Sequence, residues 1–174
     1  MFGHFLLCVS FCLCVWGPAA AMELRSADLA SGAEIGAAQI YPRCGGSNVS
    51  PQLSWSGAPV ATKSYVLTMI DVDVKPSRWS HWIVADLPPA TTSLARGASV
   101  FPLGSRIAQS NFGDPYYDGP CPPAGSGVHH YQIAIWAMPH ATTTIAPDAK
   151  ATDLLAMLAH EALTSATLTG WVAR

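Results

Sequence analysis

The segment Tyr65-Val66-Leu67-Thr68-Met69-Ile70 is apolar on both of its alternating faces, with Thr68 the one polar interruption. A strand of this kind exposes neither face to water, so it predicts a central strand with protein layers on both sides. The run ends in Asp71-Val72-Asp73, carboxylates that leave the sheet where loops gather. Asp favours turns by bonding its own backbone. This pair therefore reads either as turn formers or as a site in which one carboxylate accepts hydrogen bonds from a ligand or orients a histidine.

Short apolar or alternating runs separated by Gly, Pro, Ser and Asn dominate from Met22 to His140, a β-rich pattern. Strands are predicted at Glu23–Asp28, Gln52–Trp55, Tyr65–Asp71, His81–Leu87 and His130–Met138. Ala90–Asn111 has weak periodicity and is expected to hold loops with one short strand. Near the end Leu154, Leu155, Leu158 and Ala162 form a helical stripe, with Thr152 placed to cap it and the whole expected to pack on a sheet. Thr167–Val172 resumes alternation as a last strand.

Residues 1–21 carry no Asp, Glu, Lys or Arg, and Phe5–Trp16 is an apolar run of signal-peptide rather than membrane-spanning length. Gly17-Pro18 ends the apolar helix and Ala19 and Ala21 occupy small-residue positions, predicting a cleavable signal at 1–21 and a single domain at 22–174. A periplasmic or secreted location follows, with no integral membrane span once the signal is removed. Cys8, Cys12 and Cys14 would leave with it. Cys44 and Cys121 would remain, either as a disulfide of an exported chain or as free buried thiols. The chain has 9 basic and 11 acidic residues, a formal charge of −2 and 11% charged residues. It therefore lacks the clustered cations that nucleic acid or an anionic membrane surface demands.

The segment with most to say about function is Gly119-Pro120-Cys121-Pro122-Pro123-Ala124-Gly125-Ser126-Gly127-Val128-His129-His130-Tyr131. Its prolines fix φ and remove donors, and its glycines permit turns and close backbone approach. It reads as a stiff wall delivering hydrogen-bonding side chains to the start of a strand. By alternation His129 shares a face with Tyr131 and His130 points the other way. In Arg78-Trp79-Ser80-His81-Trp82, the same rule puts His81 with Ile83, on the face opposite Trp82 and Val84.

Taken together, Cys44-Gly45-Gly46-Ser47-Asn48-Val49-Ser50-Pro51 with Leu53 and Trp55, then Asp71-Val72-Asp73, His81-Trp82 and the proline loop, resemble the phosphatidylethanolamine-binding proteins, in particular their bacterial Raf-kinase-inhibitor-like branch. The resemblance covers nearly all of residues 22–174. It implies a mainly β fold with a large central antiparallel sheet and a smaller flanking sheet. It also implies a small anion pocket containing Asp71, His81, the Gly119, Pro120, Pro122 and Pro123 wall, His129 and Tyr131, bordered by Asp73 and Trp79. Two departures stand out. The usual Asp-Pro-Asp-Ala-Pro is Asp71-Val72-Asp73-Val74-Lys75 with Pro76 displaced, and the usual His-Arg-Tyr is His129-His130-Tyr131.

The implied partner is a small anionic or phosphorylated ligand such as a phospholipid head group, with no cofactor and no metal. Inhibition of a partner protease or kinase through the pocket rim, anchored by Trp79, Tyr116 or Tyr117, is an alternative. Hydrolysis using Asp71, His81 and His129, with a serine such as Ser80 activated by a histidine, is a weaker one. Neither a G-x-S-x-G elbow nor an H-E-x-x-H motif is present, so no catalytic residue is assigned.

Overall fold

The computed structural model describes residues 21–146 and 149–174. The predicted signal peptide thus lies outside the described residues, apart from Ala21. Strands β1 (Glu23–Arg25), β2 (Leu53–Ser56) and β5 (Ser93–Leu94) form a small antiparallel sheet in the order β1-β2-β5. Strands β3 (Ser64–Asp71), β4 (Trp79–Leu87), β6 (Arg106–Ile107), β7 (Val128–Met138) and β8 (Thr164–Ala173) form the large one, in the order β6-β4-β3-β7-β8, also antiparallel. Helix α1 (Ala151–Glu161) stands between β7 and β8. The fold is mainly β, as the sequence predicts.

Strand β3 is central, and every one of its residues is buried. One face (Tyr65, Leu67, Met69) joins Trp82, Val84, Ile133 and Ile135 in packing against Leu24, Leu53, Trp55 and Leu94 of the small sheet. The other face (Val66, Ile70) lies under α1, where Leu154 and Leu158 meet Val66, Ile83 and Met138, and Ala151 and Leu155 meet Ile70. A strand that is apolar on both faces is thus covered on both faces.

Several boundaries differ from expectation. β1 stops at Arg25 because Ser26 turns the chain: its hydroxyl donates to the Gln52 carbonyl and accepts from the Asp28 amide, and the Asp28 carboxylate accepts the Gln52 amide at 2.7 Å. The Ala90–Asn111 stretch holds two short strands, β5 and β6, each stitched to the edge of a different sheet. α1 begins one residue before Thr152, with Lys150 in the cap position and no side-chain cap. Burial of Ala151 against Ile70 fixes that end instead.

β4 carries two bulges against β3. Met69 pairs with Trp82 and Ile70 with Ser80, so His81 is an extra residue; a second extra residue falls between the Tyr65–Leu87 and Leu67–Val84 pairs, where Asp86 has φ of +60°. The Asp86 carboxylate ties the second bulge down by accepting from the Thr143 amide at 2.7 Å and from Arg106 Nε at 3.0 Å.

Cys44 and Cys121 form a disulfide with Cα atoms 5.5 Å apart, closing a loop of 77 residues. In the chain-entropy description this stabilises the fold by about 4 kcal/mol at most. Among the described residues no helix is long and apolar enough to cross a membrane.

Two outcomes are expected. Chain 22–174 unfolded without reductant should yield no reactive thiol, and two thiols would disprove the bridge. Leu158→Ala, which empties a fully buried site beneath α1, should lower the unfolding free energy by about 2–5 kcal/mol in urea denaturation.

Candidate functional site

Where β3 ends and β4 and β7 begin, the face shared with the small sheet changes from apolar to polar. Asp71 is paired across the sheet with Tyr131 on one side and Trp79 on the other. His129 lies two residues before Tyr131 on the same face, diagonal to Asp71, and its Nδ1 donates to Asp71 Oδ2 at 2.7 Å. The other Asp71 oxygen accepts the Asp73 amide at 3.0 Å in a tight turn. With side chains 4% and 11% exposed, the Asp71–His129 pair is buried, and such a carboxylate is tolerated because its lone pairs are used.

His81 is where simple alternation fails. Its ring sits edge-on to Tyr131 at 5.1 Å, on the face of Trp82 rather than that of Ile83. The bulge accounts for this, since the extra residue turns two successive side chains to one side. His81 Nδ1 donates to the Asp118 carbonyl at 2.7 Å. Burial, the dominant influence, outweighs that bond and pushes its pKa down to about 4. The ring is therefore neutral at pH 7, and its Nε2 is left as an acceptor.

The Tyr131 hydroxyl is held protonated, first by burial and then by the charge of Asp71, so it remains a donor. These groups line a cavity of about 240 Å³ together with Val74, Trp79, Phe112, Cys121, Pro122 and Pro123. Phe112 packs edge-on to Trp79 at 5.8 Å and to His81 at 5.2 Å, and stacks on Tyr41 at 6.4 Å. The cavity thus has aromatic walls and a polar base, and neither Lys nor Arg lines it.

Of the residues expected in the pocket, Asp71, His81, Pro122, Pro123, His129 and Tyr131 line it, as does Trp79 on its border. Gly119 and Pro120 do not; they stand behind the wall. The Gly119 amide donates to Asn48 Oδ1 at 2.7 Å, Asn48 Nδ2 donates to the Tyr117 carbonyl at 3.0 Å, and the Pro120 carbonyl accepts from the Tyr41 amide. A Cβ on Gly119 would run into the Gln39 carbonyl and the Tyr41 amide, so glycine is required there for close approach. Asp73 also stands off the cavity, its Oδ2 accepting from both the backbone amide and the ring Nδ1 of His130. Although burial works the other way, those bonds hold its carboxyl below the usual range.

Cys121 lines the cavity as part of the expected wall, whereas Val74 and Phe112 are lining residues the sequence reading did not assign. Phe112 and Val74 come from aperiodic loops, which carry no signal of face. Asn48, at φ of +55°, was legible as part of a motif but not as the clamp of the proline loop. Asp118, beside His81, is buried with Oδ2 unbonded. Burial, reinforced by the Asp114 carboxyl, pushes its pKa up to about 7. Among the described residues no group of three or more His, Cys, Asp or Glu side chains is arranged to hold a metal.

Residues 25–173 match the family model described as phosphatidylethanolamine-binding protein. UPF0098 protein YbcL of Escherichia coli (strain K12) is 35% identical over 128 residues, covering 69% of this chain and 70% of that one. A UPF0098 protein of Aquifex aeolicus is 36% identical over 137 residues, 78% of each chain. The crystal structure of E. coli YbcL, described as a new member of the mammalian PEBP family, superposes with a TM-score of 0.80 at 29% identity, covering 87% of this chain and 98% of that one. That of the PEBP homologue CT736 from Chlamydia trachomatis gives 0.72 at 31%, covering 88% and 98%. The chain belongs to the phosphatidylethanolamine-binding protein family, on its bacterial branch.

The buried neutral His81 has a consequence for acid stability. Its folded pKa of about 4 lies below the unfolded value of 6.5, so between these pH values the unfolded chain binds more protons. Its contribution is full above pH 6.5 and is lost as pH falls towards 4, about 3 kcal/mol in all. His81→Gln should flatten that part of the stability–pH curve relative to the wild type, as read by urea unfolding from pH 4 to 7. Parallel curves would show that His81 is not buried neutral.

Proposed function

We propose that the cavity binds a small phosphorylated head group of the phosphorylethanolamine type, and that the protein acts as an exported ligand-binding module rather than an enzyme. The observation that carries this is the composition of the cavity: a buried Asp71–His129 pair, the Tyr131 hydroxyl and a neutral His81 around about 240 Å³, with no fixed cation. The Tyr131 hydroxyl offers a donor to phosphoryl oxygens, and His129, its Nδ1 proton given to Asp71, presents Nε2 to a ligand that brings a proton. The Asp71 carboxylate opposes a full dianion and favours a ligand that brings a positive charge or a proton of its own. An ammonium group meets Asp71 and the faces of Trp79 and Phe112, and a P–OH or N–H proton meets His81 Nε2. A zwitterionic head group satisfies all of these at once.

Charge-assisted hydrogen bonds contribute roughly 1.5–3 kcal/mol each. Two or three of them, offset by the cost of association, give affinities of about millimolar to micromolar for the isolated head group. The family's description as phosphatidylethanolamine-binding supports the reading. An envelope or exported location is supported by the disulfide and by a 36% identical relative named as a putative lipoprotein, LppC of Mycobacterium tuberculosis. A cleaved signal at 1–21 and a periplasmic or secreted protein are the finer form of that proposal.

Covalent catalysis has less support. The Ser80 hydroxyl is engaged with Asn111, donating to its Oδ1 at 2.9 Å and accepting from its amide at 2.9 Å, and Ser80 is absent from the cavity lining. For the rim-docking alternative, Trp79 and Tyr116 are exposed, whereas Tyr117 is buried and its hydroxyl donates to the Gln39 carbonyl.

Calorimetric titration with phosphorylethanolamine should show saturable binding, weakened at least tenfold in His129→Ala and by less in Tyr131→Phe. Inorganic phosphate should bind more weakly as pH rises and the dianion dominates. No saturable binding, or binding indifferent to His129→Ala, would overturn the assignment.

A further inference from the structure

The loop that follows β3 has two sides. Val74 and Trp79 face the cavity described above, whereas Lys75, Pro76 and Arg78 line a separate, more open groove of about 570 Å³ behind it. The groove is completed by Gln132 and Trp136 from the opposite face of β7 and by Thr152, Leu155, Ala156 and Ala159 along α1. Its size falls in the range of roughly 300–1,000 Å³ typical of small-molecule sites.

Arg78 is unusual in three respects. Its φ is +57° in the left-handed region that non-glycine residues seldom adopt. Its amide closes a turn onto the Val74 carbonyl at 2.8 Å, and it is half-buried. Among the described residues its guanidinium makes no hydrogen bond or ion pair, whereas Arg25, Arg96 and Arg106 each bond a carboxylate. Lys75 beside it reaches only the Val72 carbonyl, at 3.4 Å. The groove therefore has a cationic end whose charge is unmatched. The nearby Asp73 carboxylate is already taken up by His130.

The rest of the groove is mainly apolar, with Gln132 and Thr152 its polar members. Trp136 has its indole N–H committed to Thr68 Oγ1 at 3.1 Å, so it offers ring surface. On α1, Leu155, Ala156 and Ala159 face the same space, and the two alanines are small enough to leave a trough. Two unmatched cations at one end of an apolar trough match one kind of ligand by charge and by shape. We propose that this groove binds a single-chain amphiphile with an anionic head, the head held by Arg78 and Lys75 and the alkyl chain lying along Trp136 and α1. The site is distinct from the His129 cavity and does not depend on the function assigned to it.

The test is calorimetric titration of the purified protein with decyl phosphate and with decanoate, each below its micelle concentration. Saturable one-to-one binding is expected, tightening by about fourfold for each added methylene from hexyl to decyl as apolar area is buried. Arg78→Gln should weaken binding at least tenfold, and Ala156→Glu, which puts a carboxylate in the trough, should weaken it as much. His129→Ala should leave it unchanged. Binding of both probes would assign the anionic head generally, and binding of decyl phosphate alone would assign a phosphorylated lipid; either supports the site. Equal affinity for decanol, no dependence on chain length, or loss in His129→Ala with retention in a folded Arg78→Gln or Ala156→Glu would overturn it.

Discussion

The pocket depends on one extra residue at the start of β4. Without the bulge at His81, strict alternation would turn that imidazole to the helix side of the sheet, with Ile83 and Ala85. With it, His81 joins Asp71, His129 and Tyr131 on the face that β3, β4 and β7 share. Bulges re-aim side chains in this way at the cost of ladder regularity. Here the flanking structure absorbs the cost. β3 is hydrogen-bonded on both edges and packed on both faces, and the second bulge is tied by the Asp86 carboxylate to Thr143 and Arg106.

Burial then decides the chemistry of each group that the bulge and the register bring together. Asp71 stays a hydrogen-bond acceptor in a nearly dry setting because His129 and the Asp73 amide occupy its oxygens. His81 has only backbone groups of Asp118 and Gly119 to bond and is too deeply buried to keep a proton at neutral pH. Two histidines lining one cavity thus take different roles: His129 is oriented by the Asp71 carboxylate, and His81 is kept neutral by exclusion of water. On the proposed binding role, a buried carboxylate beside a hydroxyl donor and a neutral imidazole is what makes a zwitterion a better match than a bare anion.

How far the sequence revealed this follows from which physical rule governed each residue. Alternation placed His129, Tyr131 and His130 correctly because β7 is regular across its pairing with β3 and β8. The same rule misplaced His81, because period-two reasoning has no term for an inserted residue, and nothing in Trp79-Ser80-His81-Trp82 announces a bulge. The central position of β3 was legible from its two apolar faces. The start of α1 was not, because burial of Ala151 against Ile70, a long-range contact, overrode the local capping signal of Thr152. Gly119 was assigned to the pocket wall when its glycine character answers to a backbone crossing at Gln39–Tyr41. Phe112 could not be placed at all, since it enters the cavity from a loop without periodicity.

The proline wall is held from three directions, and this bears on what kind of binding the site can support. The disulfide joins it to the Pro42–Cys44 turn; Asn48 clamps it through the Gly119 amide and the Tyr117 carbonyl; and Arg174 meets it at the Gly125 and Gly127 amides and the Pro122 carbonyl. Prolines inside the wall restrict it further. The conformational entropy of ordering this segment is therefore lost on folding rather than on ligand capture. On the proposed binding role, a ligand would meet a cavity already shaped, its affinity set by the few polar contacts within about 240 Å³ rather than by induced closure. That proposal therefore calls for a small, defined head group, with any greater affinity coming from surface contacted outside the cavity.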